Sequence, residues 1–259
     1  MQMFADMKVA VITPYYNTPD EWLHKCYESV KAQTHPCTHI LVADGCSQNL
    51  PESWDVQHIR LPVNHADYGD TPRGVGSVLA ISQGFDAIAY LDSDNWFYPE
   101  HISTLVDLHQ KTGAAVITSA RNLHRLDGSF LNKCPEVDGI KFVDTNCYFL
   151  TRPAFKLVQL WWLIDDIYNL NDVLKIGKNL HSIADKVIWS EVLFSKLSHA
   201  HSEKASVAYR TGFLSHYEMF GELSPAGSKS GQEIHQTILK ILKAIQERNS
   251  TKAPKGKII

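Results

Sequence analysis

The sequence predicts an α/β fold: a doubly wound, mostly parallel sheet flanked by helices, with a C-terminal helical extension. Short apolar, strand-like runs alternate with helix-like segments through the first half of the chain, which is typical of parallel βαβ units. Three of these runs end in polar clusters, TPYYN, ADGCSQN and DSDN. Ligands of such sheets bind beyond the carboxyl ends of the strands, so these clusters indicate a site.

The first strand and helix carry clear local signals. The run KVAVIT at 8–13 is typical of a buried strand. Thr18 provides a helix N-cap, Pro19 the first helical position and Glu21 the acid of a capping box. The apolar residues of that helix recur at helical spacing: Leu23, Cys26, Tyr27 and Val30. Further strands are expected at 38–43, 57–61, 87–91 and 114–120, and helices at 72–83 and 99–111.

The second half of the chain is less regular. We expect a turn at RLDGSF, a strand in VDTNCYFLTRPAF that enters a helix at Pro153, and a helix in SIADKVIWSEVLFSKLS. Isoleucines and a leucine repeat at helical spacing over 231–247, which predicts an amphipathic helix before a basic tail. The predicted organisation is one domain over 1–225, divided into halves 8–120 and 121–225, and an extension over 226–259.

Composition argues against several classes of protein. The formal net charge of −3 leaves no basic excess to neutralise a phosphate backbone, so we expect no nucleic-acid partner. The 5 cysteines form no CxxC pair, which favours reduced thiols in a cytosolic protein. The first residues lack the regions of a signal peptide, and the apolar stretch at 157–164 is too short to span a bilayer. We therefore expect a soluble, cytoplasmic protein, and peripheral attachment to a membrane stays open.

The DSD segment at 92–94 is a candidate metal site. In extended backbone, residues i and i+2 project to one side, so Asp92 and Asp94 would face one ligand. A divalent cation that also carries a diphosphate would compensate their repulsion, because Mg²⁺ and Mn²⁺ take oxygen ligands. A pair of aspartates that form a turn at a strand end explains the same motif without any ligand. The motif alone does not decide between the two.

The order of the motifs resembles that of GT-A glycosyltransferases of family 2. The segments VAVITPYYNTPDEW, ILVADGCSQ, DTPRGVG and IAYLDSDNWF follow one another as the strand–PxYN, DGS, ARNxG and LDxDD motifs do in that family. The resemblance covers residues 8–120, and this order is more specific than any single motif. It implies a GT-A (Rossmann-like) fold, a nucleotide-sugar donor, and Mn²⁺ or Mg²⁺ as the cofactor.

The resemblance implies roles for residues at the nucleotide. Tyr16, which follows Pro14, would stack on the nucleobase, and Asp44 would hydrogen-bond to it. Arg73 would lie near the donor phosphates. Without a ligand, these residues would be a half-buried aromatic, the first residue of an Asp-Gly turn and a surface charge.

The resemblance also implies roles within the DSD segment. Asp92 would contact the ribose or the metal, Ser93 would lie in the donor site, and Asp94 would bind the metal directly. The sequence departs from the family pattern at four positions: Ala43, Cys46, Gly74 and Asn95.

The resemblance implies that 8–120 is the nucleotide-sugar-binding half and 121–225 the acceptor-binding half. Two segments of the second half complete it. IADKVIWSEVL resembles the segment whose aspartate deprotonates the acceptor, which implies that Asp185 is the general base. Ser182 and Asp185 also fit a capping box, in which Asp185 only serves the helix N-terminus. YRTGFLSHY resembles a late segment that returns a histidine to the metal, which implies His216 as a ligand; a polar surface histidine is the alternative. Trp161 and Trp162 form either a stacking platform for an acceptor sugar or part of the core.

Together these features imply an inverting, metal-dependent glycosyltransferase of hexosyltransferase type that uses a UDP-sugar, with a glycan or glycolipid as acceptor. One alternative is a nucleotide-sugar-binding module without turnover. Another is a sugar-1-phosphate nucleotidyltransferase, whose glycine-rich, Arg-containing loop is missing from TPYYNTPDE. The C-terminal helix would cover the domain, form the seam of a homo-oligomer or lie on a membrane.

Overall fold

The computed structural model describes residues 7–162, 164 and 183–229. The strands in these ranges are β1 (Val9–Tyr15), β2 (Cys37–Asp44), β3 (Gln57–Leu61), β4 (Ala87–Tyr90), β5 (Trp96–Phe97), β6 (Val116–His124), β7 (Phe130–Lys133), β8 (Tyr148–Thr151) and β9 (His199–Arg210). The α-helices are α1 (Asp20–Lys31), α2 (Asp70–Ser82), α3 (His101–Thr112), α4 (Ala184–Phe194) and α5 (Leu214–Met219). Two 3-10 helices cover Thr145–Cys147 and Arg152–Trp161.

The described strands form one sheet, in the order β3-β2-β1-β4-β8-β6-β9-β5, with β7 paired to β6. β1 pairs in parallel with β2 and with β4, and β2 pairs in parallel with β3. Every residue of β1 is buried, as expected for a parallel strand with both faces covered. The three strands β1, β2 and β4 therefore bring their carboxyl ends to one edge of the sheet, as the sequence predicts.

The second half adds strands of both directions. β8 lies antiparallel between β4 and β6, whereas β9 runs parallel to β6 and pairs antiparallel with β5. Most paired residues still belong to parallel ladders, so the predicted α/β fold with a mostly parallel sheet is confirmed.

The first helix begins later than the sequence predicts. α1 starts at Asp20, its N-cap is Pro19, and no side chain caps it. The predicted Thr18 cap is therefore wrong, because Thr18 Oγ1 lies 2.7 Å from Ser93 Oγ and hydrogen-bonds there instead. The predicted apolar face is confirmed, since the buried residues of α1 are Leu23, Cys26, Tyr27 and Val30.

None of the described helices is both long and apolar enough to cross a bilayer. The amphipathic helix predicted over 231–247 and the basic tail lie outside the described residues.

Candidate active site

A cavity of about 750 Å³ opens where β1, β2 and β4 end. Its described wall consists of residues at and after the ends of these strands, part of α1, the loop before α2, the first turn of α2, and a few residues of the second half. Eight of the residues predicted from the sequence lie in this wall: Pro14, Tyr16, Asp44, Arg73, Asp92, Ser93, Asp94 and Asp185. His216 is not among the described residues that line it.

The described wall of the cavity is strongly acidic. Its charged residues are seven aspartates, Asp44, Asp67, Asp70, Asp92, Asp94, Asp144 and Asp185, and one arginine, Arg73. A cavity with this balance repels an anionic ligand unless a cation accompanies that ligand.

The DSD segment forms a turn after β4. The backbone N–H of Asn95 donates to the carbonyl oxygen of Asp92 at 3.0 Å, so the extended geometry expected from the sequence is wrong. Asp92 and Asp94 nevertheless both line the cavity. The turn, rather than the alternation of a strand, brings the two carboxyls to one ligand space.

Both carboxylate oxygens of Asp92 have partners. Oδ1 accepts from Arg73 Nη2 at 2.5 Å, and Oδ2 accepts from Asn146 Nδ2 at 2.9 Å. The backbone N–H of Asp92 donates to Asn146 Oδ1 at 2.6 Å. These bonds fix the carboxylate and leave each oxygen one lone pair for a further ligand.

The carboxyl of Asp94 lacks comparable partners. In the part of the chain that the structure describes, no other side chain donates a hydrogen bond to it, and Arg210 Nε reaches only its backbone carbonyl, at 2.9 Å. Burial, followed by the nearby charge of Asp92, raises the pKa of Asp94 to about 7. Such a carboxyl is stabilised in its ionised form by a bound cation.

Asp44 ends β2 with its side chain almost fully buried. His65 holds it by three contacts: the His65 backbone N–H lies 3.2 Å from each carboxylate oxygen, and His65 Nδ1 lies 2.6 Å from Oδ1. Tyr16 also lines the cavity and is 53% exposed, so its ring is open to stacking by a planar ligand.

Arg73 is a buried residue of α2, so the surface-charge alternative is wrong. Besides Asp92, its guanidinium donates to Asp70 Oδ1 at 2.8 Å and to the Tyr68 carbonyl oxygen at 3.0 Å. The guanidinium also lies over the ring of Trp161, 5.2 Å from its centroid. These contacts hold Arg73 in the cavity wall beside the DSD turn.

Packing explains why a glycine stands at position 74, where the sequence departs from the family pattern. A Cβ at this position would lie 2.0 Å from Cε3 of Trp162, so the glycine makes room for that ring. Trp161 is buried and packs edge-on against Tyr90, with 5.1 Å between ring centroids. Core packing is therefore the role that the structure supports for the two tryptophans.

Asp185 reaches the cavity from the first turn of α4. Its Oδ1 accepts from the next backbone N–H, that of Lys186, at 2.8 Å, and the N-cap of the helix is Ile183, without a side-chain cap. Ser182, the other member of the predicted capping box, lies outside the described residues. Burial, followed by the charge of Asp144, raises the pKa of Asp185 to about 7, which suits a proton acceptor at neutral pH.

His216 has a partner at each ring nitrogen. Nδ1 lies 2.6 Å from Thr211 Oγ1, and Nε2 lies 3.1 Å from Glu136 Oε2. Because an ionised carboxylate only accepts, Nε2 donates to Glu136, and in the neutral imidazole Nδ1 accepts from the Thr211 hydroxyl. No three His, Cys, Asp or Glu side chains within 7–162, 164 and 183–229 form a group that could hold a metal ion.

Sequence reasoning missed two groups that shape this site. Asn146 is fully buried and joins Asp92 to Asp144, whose Oδ1 accepts from Asn146 Nδ2 at 2.8 Å. Arg121 Nη1 completes the network with a 2.6 Å bond to Asp144 Oδ2. His65 is the second group. The signal for it is the polar run NHADYGD, which begins at Asn64, three positions after the last residue of β3.

Crystal structures of S. aureus TarS are similar in fold. One is 16% identical with a TM-score of 0.53, over 82% of this chain and 38% of that chain. TarS 1-349 in complex with UDP is 17% identical with a TM-score of 0.51, over 79% of this chain and 61% of that chain. TarS 1-349 in complex with UDP-GlcNAc is 16% identical with a TM-score of 0.52, over 79% and 59%. This chain thus spans less than two thirds of these relatives, and the likeness shows the fold alone.

The comparison by sequence is more specific. No curated protein matches the chain. The family described as Glycosyl transferase family 2 matches residues 10–161, which include the residues after β1, β2 and β4 but neither Asp185 nor His216. Because this match covers more than half of the 259 residues, the chain belongs to glycosyl transferase family 2.

Proposed function

We propose that the chain is an inverting glycosyltransferase that moves a sugar from a UDP-sugar to a hydroxyl of a glycan or glycolipid. The observation that carries this proposal is the joint presence, in one cavity, of the DSD turn and of Asp185 from the second half. The fold shared with TarS, whose structures contain UDP and UDP-GlcNAc, supports a uridine nucleotide as the donor.

A divalent cation fits the aspartates of the DSD turn. No side chain in 7–162, 164 and 183–229 donates to the Asp94 carboxyl, whose pKa is raised, and Asp92 keeps one lone pair on each oxygen. Oxygen ligands of this kind suit Mg²⁺ and Mn²⁺, which commonly bind through one or two carboxylates together with substrate phosphates. When bound, the cation would neutralise charge on the departing diphosphate. His216 joins this ligand set only if its Nε2 leaves Glu136.

The nucleobase would lie between Tyr16 and Asp44. Tyr16 offers an exposed ring at the cavity wall, and Asp44 offers carboxylate oxygens to the N–H of uracil. Arg73, fixed by Asp70 and Asp92, would contribute positive charge beside the phosphates.

Asp185 would be the general base. In a single displacement the acceptor hydroxyl attacks opposite the leaving diphosphate, so its proton goes to a group on the acceptor side. The carboxylates of the DSD turn belong to the donor side, whereas Asp185 comes from α4. Its raised pKa lets it take a proton from the hydroxyl near neutral pH.

Calorimetric titration of UDP, GDP and CDP, each with Mn²⁺ and with EDTA, tests the donor side of the proposal. We expect UDP to bind most tightly and only in the presence of the cation. Equal UDP affinity in Mn²⁺ and in EDTA would contradict a role for the cation. Tighter binding of GDP or CDP than of UDP would contradict the assignment of uracil. Turnover of UDP-sugars then separates an enzyme from a binding module without turnover.

A further inference from the structure

We propose that His65 is a specificity-determining residue, because it fixes the orientation of Asp44 and thereby selects uracil over cytosine. This inference rests on the proposed function, in which Asp44 accepts a hydrogen bond from the nucleobase. Among the described residues, Asp44 lines the cavity and His65 does not, so His65 acts through Asp44 and is a positioning residue.

The contact between the two residues fixes the carboxylate plane. The His65 backbone N–H lies 3.2 Å from both oxygens of Asp44, and Nδ1 lies 2.6 Å from Oδ1. Because a carboxylate only accepts, Nδ1 carries the proton and donates it. Donors from two directions oppose rotation of the carboxylate about its bond to Cβ, since a rotated carboxylate would lose them in a buried setting.

The residue after Asp44 allows the loop of His65 to come this close. Gly45 has a φ of +78°, and a Cβ on it would lie 2.3 Å from the backbone nitrogen of Asn64. Only glycine therefore fits against the backbone of this loop. The Asp-Gly pair at the end of β2 thus combines a carboxylate with the space for the residue that orients it.

Hydrogen bonds made by Asn64, before His65, and by Asp67, after it, also fix this loop. Asn64 Oδ1 accepts from the Ala66 backbone N–H at 2.7 Å, and Ala66 has a φ of +53°, an uncommon conformation for a residue with a side chain. Asp67 accepts backbone N–H groups of the first turn of α2, including that of Thr71 at 2.8 Å. Strained backbone held by such contacts is typical of functional sites.

The two pyrimidines differ at N3 and at position 4, where cytosine carries an amino group that a rotated carboxylate could accept from. A carboxylate fixed opposite N3 distinguishes them at that atom. Uracil carries a hydrogen on N3 and donates to Asp44, whereas N3 of neutral cytosine carries a lone pair that the carboxylate repels. A carboxylate that is free to rotate would bind uracil less tightly and would repel cytosine less. The ratio of UDP affinity to CDP affinity therefore reports on the contact between His65 and Asp44.

The test compares three variants of the full chain by calorimetry with UDP and with CDP, in the presence of Mn²⁺, together with their melting temperatures. His65→Ala removes the Nδ1 donor, and we expect it to lower the UDP-to-CDP affinity ratio about tenfold. His65→Asn places an amide nitrogen close to the position of Nδ1, and we expect it to restore most of the ratio. His35→Ala is the matched control, because His35 hydrogen-bonds the Met7 carbonyl at 2.9 Å ahead of β2, at the opposite edge of the sheet.

The experiment distinguishes failure of the His65 role from failure of the proposed function. If wild-type protein binds UDP selectively, and Asp44→Ala abolishes that selectivity, but His65→Ala keeps the wild-type ratio, the role of His65 is overturned while the proposed function stands. A lower melting temperature of His65→Ala with an unchanged UDP-to-CDP affinity ratio also overturns the role of His65. If wild-type protein does not prefer UDP, or Asp44→Ala keeps the preference, the uracil assignment fails and the role of His65 fails with it.

Discussion

The side-chain amide of Asn146 binds Asp92 at two atoms: its Oδ1 accepts from the Asp92 backbone N–H at 2.6 Å, and its Nδ2 donates to Asp92 Oδ2 at 2.9 Å. Asn146 lies 54 positions further along the chain, in the half predicted to bind the acceptor. The donor-side aspartate is therefore held by the second half of the domain, through a network that continues to Asp144 and Arg121.

Replacement of Asn146 tests whether this contact supports the donor site. Asn146→Asp keeps the size of the side chain but replaces the Nδ2 donor by an oxygen, which faces carboxylate oxygens of Asp92 and Asp144. Like charges at this distance repel strongly in a buried site. We expect UDP affinity in Mn²⁺ to fall by about tenfold or more, as measured by calorimetry.

Asn122→Asp is the matched control for that variant. Asn122 is a partly buried residue of β6 whose Nδ2 lies 3.3 Å from the Tyr98 hydroxyl, and it is not among the described residues of the cavity wall. Similar losses of UDP affinity in both variants would show that a buried charge, and not the contact to Asp92, causes the effect.

The parallel core and the residues at its carboxyl edge were predictable from the sequence. Runs such as VAVI and ILVA are apolar at every position because both faces of β1 and β2 are buried there, and polar clusters begin where each strand reaches the cavity. Tyr16, Asp44 and the DSD aspartates follow from this rule together with the resemblance to a family.

Strands β5, β7 and β9 and the supporting residues were not predictable. The exposed, charged first part of β9 hides its strand character, and its ladder with β6 contains register shifts. Asn146 and His65 matter through partners 54 and 21 positions away, and no local pattern encodes such contacts. The Thr18 prediction failed for the same reason, since Ser93 competes for its hydroxyl.

The turnover rate should depend on the protonation of Asp185. Burial and the charge of Asp144 raise its pKa to about 7, and a general base acts only in its ionised form. We expect kcat in saturating donor to rise about tenfold per pH unit below 7 and to level off above it. A turnover rate that stays constant between about pH 5 and pH 8 would contradict this role.

Ionisation of Asp185 should raise the turnover rate but lower the stability of the folded protein. Because the pKa of Asp185 in the folded protein lies above its ordinary value of 3.8, the folded state keeps a proton that the unfolded state loses. The contribution of Asp185 therefore makes the protein less stable as pH rises from 3.8 to about 7. Melting temperatures of wild type and Asp185→Asn should diverge across this window, in favour of the variant.

Asp94 and His216 should differ in their effects on the cation. Asp94→Ala removes the carboxyl to which no other described side chain donates, and we expect it to abolish UDP binding that depends on Mn²⁺. If His216 is a ligand, His216→Gln lowers the preference for Mn²⁺ over Mg²⁺, because imidazole suits Mn²⁺ better. If His216 only bonds Thr211 and Glu136, His216→Gln lowers the melting temperature and leaves the preference for Mn²⁺ over Mg²⁺ unchanged. Calorimetry in both cations, with melting curves, separates these outcomes.

Gly74 should tolerate no side chain. In Gly74→Ala the new Cβ would lie 2.0 Å from Cε3 of Trp162, and such overpacking costs about 1–3 kcal/mol of unfolding free energy. Gly212→Ala is the control, because the nearest atom to its new Cβ is Leu126 Cδ2 at 3.9 Å. Urea denaturation should show a loss for Gly74→Ala alone; equal stability of the two variants would contradict the packing account.

The most direct test of the account is to measure turnover and UDP affinity on Asp185→Asn, beside wild type and Asp138→Asn. The control removes a carboxylate that accepts backbone N–H groups outside the cavity, including that of Lys141 at 2.7 Å. We expect Asp185→Asn to lower turnover by about 10²–10⁴-fold with UDP affinity unchanged, and Asp138→Asn to keep wild-type turnover. An Asp185→Asn enzyme with full turnover, or a wild-type product that retains the donor's anomeric configuration, would contradict the account.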